Sequence, residues 1–289
     1  HSRRTALRRH HHRPSERRRG HGVEAGLTEQ PEFGRIAWSA PWLEDWRDWT
    51  QDCTGNAWRD ALNAMARAMD LRNAGGLPLR FVEQSALPES VAYEAFIYEN
   101  GSVPTRANLH DFFNALIWLS YPGIKRGLNA IQARELAAAG VGRTRGSARD
   151  AATLFDENAA LFACSDPAIA AALRAHEWER LFIDRRAAFG AQCAAFPFGH
   201  ALLEKLTAPF KAITAHAWIV EVDAAFFRVD RGEQRRRLDR IVADQLEAGL
   251  PGAGFTPLPV LGIPGWATEQ DAEYYRDRAV FRPKRNRHL

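Results

Sequence analysis

The segment from Asn108 to Tyr121, NLHDFFNALIWLSY, is the constraint the rest of the chain must satisfy. Leu109, Phe112, Phe113, Leu116 and Ile117 fall at helical spacing and form a broad apolar stripe, which a stable fold has to cover with other elements. Asn108 suits the N-cap, Asp111 stands three residues on as an acidic capping partner, and Pro122 ends the helix. Opposite the stripe, His110, Asp111 and Asn114 share a polar face. Open to water, such a face is ordinary. Covered by another layer, its groups need partners and become site candidates.

The neighbouring segments supply strands and helices without a regular βαβ alternation. LRFVEQ (79–84) and YEAFIYENGSVP (93–104) read as strands of a hairpin turning at Asn100-Gly101, a pair suited to the two positive φ angles of a type I′ turn. RDAATLFDENAALFACS (149–165) reads as a second hairpin turning at Asp156, Glu157 and Asn158, and HAWIVEVD (216–223) alternates as a further strand. Helical spacing marks 56–71, 123–140, a long stretch from Ser165 to Phe189, the short FGHALLEKL, and the charged 231–249. The proline-rich run after Phe255 is expected to lie over the surface. The predicted class is therefore α+β: a helix-rich single domain with two β-hairpins and a further strand packed against helices.

Charge divides the chain. Residues 1–22 hold eight arginines and one glutamate, and 282–287 hold four basic residues; without them, 27 basic and 34 acidic residues remain, so a net +4 conceals a body at −7. We expect a basic disordered leader over 1–30, an α+β domain over 31–281 and a basic tail over 282–289. An acidic body argues against a nucleic-acid groove, except for nonspecific contact through the leader. No run approaches the ~20 apolar residues of a membrane span, and three scattered cysteines suit a soluble protein of a reducing cytoplasm.

Four tryptophans, Trp38, Trp42, Trp46 and Trp49, crowd the start of the domain; they fit an apolar segment that wraps the core better than a stacking platform. In GHALLEKL, His200 and Glu204 stand four apart, a spacing that lets both reach one ion, and His216 sixteen residues on could supply a third ligand. A divalent metal is the cofactor this pattern suggests. His176 falls on an apolar stripe and reads as a hydrogen-bonded core residue. Asp156, Glu157 and Asn158 could collect a cation, although turn chemistry accounts for them. Arg149 and Asp150 suit a structural ion pair, and GVGRTRG (140–146) reads as a linker. The His110-Asp111 doublet is similar to that of HD-type phosphohydrolases, but the upstream histidine that pattern needs is missing: the nearest is His21.

Several segments, in order, carry a wider likeness: VPTRANLHDFFNALIWLSYPGIKRGLN, RDAATLFDEN, FGHALLEKL followed by TAHA, and PLPVLGIPGW leading to YYRDRAVFRPKR. Together they resemble the bacterial family named domain of unknown function 3025, over roughly residues 35–287. The resemblance implies shared descent of nearly the whole domain and assigns no catalytic residue or cofactor.

Two functions are compatible with these residues. One is a hydrolase-like enzyme acting on a small molecule, with His110, Asp111 and Asn114 as catalytic groups and His200, Glu204 and His216 as metal ligands, if the front of the 108–121 helix meets the 200–216 segment. The other is a noncatalytic protein-binding module that uses the tryptophan-rich and proline-rich segments.

Overall fold

The computed structural model describes residues 29–49, 53–139, 147–250 and 254–284. Most of the expected leader, the 140–146 linker and the last five residues of the tail lie outside them. The chain runs α1 (Trp58–Ala68), β1 (Arg80–Val82), α2 (Tyr93–Asn100), β2 (Ser102–Pro104), α3 (Leu109–Ser120), α4 (Pro122–Ala139) and α5 (Ser147–Asn158). It continues through β3 (Ala159–Cys164), α6 (Pro167–Ala175), β4 (Cys193–Pro197), α7 (His200–Lys205), β5 (Thr214–Glu221), α8 (Arg231–Glu247), β6 (Thr256–Pro259) and α9 (Ala272–Tyr275). The class is α+β, as the sequence implies. No helix of the described residues is long and apolar enough to cross a membrane.

Helix α3 is the axis. Asn108 caps it by accepting the Asp111 N–H at 2.8 Å. Of its twelve residues only His110 escapes burial, so Asp111 and Asn114 of the polar face are covered as well. A helix buried all round belongs to a core. The tryptophan-rich entry, a 3-10 helix over Pro41–Trp49, wraps it: Trp42 and Trp46 are buried, and the Trp46 indole N–H donates to Ser120 Oγ at 2.7 Å.

A four-stranded sheet, β4-β3-β5-β6, stands beside the helices. Strand β3 pairs antiparallel with β4 and parallel with β5, and all six of its residues are buried, as expected for a central strand covered on both faces. Cys164 and Cys193 face each other across β3 and β4, and all three cysteines are free and buried. The first N–H groups of helix α4 are satisfied from α8: the Asp239 carboxylate accepts from Gly123 at 2.9 Å and Ile124 at 2.8 Å. Asp239→Ala is expected to cost about 1–2 kcal/mol by stranding both donors, a loss that urea denaturation will register.

Neither expected hairpin forms. Residues 93–100 are helix α2, and β1 pairs with β2 in parallel across it. A type I′ turn needs positive φ at two residues; here only Gly101 has it, as the left-handed C-cap of α2. Asp156, Glu157 and Asn158 are the last turn of α5, because Ala152, Phe155 and Asp156 bury one helical face before the chain enters β3. The long helix expected after Ser165 breaks at His176, which takes φ 58° and stacks on Trp178 instead of lying in the core; a π-helical turn, Arg180–Asp184, follows. The proline-rich run is not a surface strap either. Pro257 and Pro259 sit in the edge strand β6, where a missing N–H is tolerated, and Val260, Leu261 and Ile263 beyond it are buried.

Candidate functional site

The front of α3, the start of α7 and the end of α5 converge on one cleft of about 400 Å³. Segments some ninety positions apart do meet: His110 Nδ1 lies 2.9 Å from Glu204 Oε2. The His110 and His200 rings stand edge to face with centroids 4.5 Å apart. His200, only 5 % exposed, lies between two α5 carboxylates, with Nδ1 4.0 Å from Asp156 Oδ2 and Nε2 3.8 Å from Glu157 Oε1. Its Nδ1 is buried without a hydrogen-bond partner.

Below the rings lies a buried ion pair. Lys125, from the first turns of α4, places Nζ 2.6 Å from Asp156 Oδ1 and 2.9 Å from Asn114 Oδ1. Asn114 in turn donates to the Tyr93 hydroxyl at 3.1 Å. Burial pushes the His200 imidazole down to about 4, so the ring is neutral near pH 7. Burial alone would raise the Asp156 carboxyl, but the Lys125 ammonium and the imidazoles hold it below its ordinary value. Burial raises Glu157, Glu94 and Tyr93, all three on the lining of the cleft.

The expected residues are thus divided. His110, His200 and Glu204 come together, but Glu204 serves His110 instead of sharing an ion with His200. Asp111 does not orient His110: it faces back to Arg106, accepting its backbone N–H at 2.7 Å and two guanidinium N–H groups at 3.0 and 2.9 Å. Asn114 holds Lys125. His216 stands apart on β5, opposite Ala159 in register and near the Phe255 ring; a strand side chain fixed there is not part of the cleft's ligand group. In its place the cleft offers Glu157: one ligand atom each from His110, Glu157 and His200 lie within 4.8 Å of one another. Sequence spacing dismissed Glu157 and Asp156 as turn residues and gave no sign of Lys125.

Fold and cleft together define an α+β protein with a partly buried histidine–carboxylate cluster between three helices. The sequence matches the family described as Protein of unknown function (DUF3025) over residues 79–285, and the chain belongs to that family. No curated protein and no solved structure matched it.

Proposed function

We propose that the chain is a metal-dependent hydrolase whose divalent ion, zinc by ligand type, is held by His110, Glu157 and His200. One observation carries this reading: two neighbouring imidazoles are flanked by carboxylates, Glu204 Oε2 at 2.9 Å from the His110 Nδ1, Asp156 Oδ2 at 4.0 Å from the unpartnered His200 Nδ1 and Glu157 Oε1 at 3.8 Å from the His200 Nε2. Carboxylates placed behind ligating histidines fix the tautomer and turn the other nitrogen toward the ion. With Glu204 on its Nδ1, His110 offers Nε2. Tetrahedral zinc at about 2.0–2.1 Å needs donors about 3.3 Å apart, so the spacing between His200 and Glu157 closes with a side-chain adjustment of about half an ångström.

Two histidines and one glutamate leave a coordination position for water, and such a centre supplies a Lewis acid and a water acidic enough to attack near neutral pH. The chain's own groups do the rest. Glu204 orients the His110 ring, the Asp156 carboxylate lies 4.0 Å from the His200 Nδ1, and the Tyr93 hydroxyl, which burial keeps protonated, can give a proton to a leaving group in the cleft. The alternative of a binding module loses its basis where Trp42 and Trp46 are buried in the core and the proline run forms β6.

The test is metal content together with turnover. Residues 10–12 are three consecutive histidines that would retain metal whatever the cleft does, so the readout is the equivalent that disappears in His200→Ala. We expect one equivalent lost in that variant, about 10–100-fold weaker binding in Glu204→Gln, and hydrolysis of an activated ester or phosphoester abolished in His200→Ala. Identical metal content and melting temperature in wild type and His200→Ala, with and without added zinc, would refute the centre.

A further inference from the structure

The cleft extends from the two imidazoles along one face of α5, and its outer part is lined by polar groups that nothing in the fold occupies. Arg149, Thr153, Asp156 and Glu157 fall four, seven and eight residues along that helix and all line the cleft. Arg149 makes no hydrogen bond and no ion pair within 4 Å among the described residues, its charge acting on Glu94 from farther off; the pairing expected with Asp150 is absent, since adjacent helical residues point apart. Thr153 makes no side-chain hydrogen bond there either. Across from them on α4, Gln132 is only 6 % exposed, and its amide also has no partner among the described residues. Its amide opens into the cleft, where a ligand could replace water on it.

The charges of the cleft point to what that is. Its carboxylates are engaged: Asp111 by Arg106, Asp156 by Lys125 and Glu94 by the Asn129 amide, while Glu157 faces the imidazole centre. The groups without a hydrogen bond are a guanidinium, whose charge also acts on Glu94, a hydroxyl and an amide, all able to donate. We propose that Arg149, Thr153 and Gln132 form the recognition subsite for an oxyanion, a carboxylate or phosphate carried by the substrate. At 1.5 Å rise per residue, Arg149 and Thr153 lie about 6–12 Å along α5 from Glu157, so the anionic group sits that far from the bond being cleaved. With Leu87 and Leu136 also on the wall, the ligand class is a small molecule with an apolar or neutral middle and an anionic end.

The subsite rests on the cleft being a substrate cleft, and its test separates the two claims. Inorganic phosphate, succinate and neutral succinamide are titrated calorimetrically into wild type and Arg149→Gln, each with and without zinc. Arg149 is half-exposed and unpaired, so the variant keeps the fold. We expect one anion to bind, its affinity to fall at least about tenfold in Arg149→Gln with zinc content unchanged, and succinamide not to bind. The anion preferred, phosphate or succinate, identifies the source. Arg149-dependent anion binding in a protein that takes no zinc overturns the metal centre and leaves the subsite standing. Equal affinity in wild type and Arg149→Gln, no anion binding at all, or equal binding of succinamide overturns the subsite.

Discussion

Replacing Gly199 with alanine is expected to destabilise the protein by about 3 kcal/mol and to abolish the metal equivalent assigned to the cleft. The reason is a single close approach. A Cβ at Gly199 would lie 2.4 Å from the Glu157 carbonyl oxygen, 2.5 Å from the Asn158 nitrogen and 2.6 Å from the Ala159 nitrogen, and backbone atoms cannot rotate away as a side chain does. The backbone here has ordinary dihedral angles, φ −61° and ψ 122°, so the penalty is one of space alone. That approach also joins the site. The Phe198 and Gly199 N–H groups both donate to the Ala159 carbonyl, at 3.0 and 2.8 Å, which draws the start of α7 onto the end of α5. His200 follows directly and reaches Asp156 and Glu157 only because its neighbour has no side chain. Gly34→Ala, where a Cβ meets nothing within 4 Å, is the control and should stay within about 0.5 kcal/mol of wild type. Denaturant unfolding and metal content, measured on both variants, check the expectation. A stable Gly199→Ala protein with its metal intact would mean that the α5–α7 junction yields easily.

What could be read without coordinates was what local chemistry decides. The cap of α3 by Asn108, the amphipathic α1 and α8, and the alternation of β5 each depend on residues within a few positions of one another. Failures came where two local codes overlap. Tyr93, Phe96, Ile97 and Tyr98 have strand-forming side chains, yet α2 forms because Ile97 finds the core and Gly101 ends the helix in the left-handed region. Asp156, Glu157 and Asn158 are favoured turn formers but also an acceptable last helical turn, and burial of Phe155 selects the second. The site suffered in the same way. His110 and His200 at helix starts and Glu204 one turn on stand out as chemistry-bearing residues, but which carboxylate serves which ring is settled by the α3–α7 and α5–α7 packing, not by spacing. Lys125 lies one turn into α4 in an ordinary GIKRG and has no local mark; its partners are 11 and 31 residues away.

Lys125→Met is expected to cost about 3–5 kcal/mol, since it removes the counter-charge of a largely buried carboxylate. The Lys125 side chain is 4 % exposed and that of Asp156 10 %. The aliphatic stem tolerates the change to methionine, and the ammonium lies 5.2 Å from the Trp118 ring centroid, so packing is nearly kept and the missing charge is what is measured. If the cost is electrostatic, neutralising the stranded partner should relieve it. Lys125→Met combined with Asp156→Asn is therefore expected to recover at least about 1 kcal/mol over Lys125→Met alone in a double-mutant cycle by urea denaturation. The same double variant should still fail to hold metal at wild-type affinity, because it removes the negative charge 4.0 Å from the His200 Nδ1. These readouts distinguish two roles for one lysine. Recovery of stability without recovery of metal shows that Lys125 neutralises Asp156 and that Asp156 acts on His200. No recovery of stability would show that Lys125 is held for its fit between Asn114 and Trp118 and that the pair's charge is incidental.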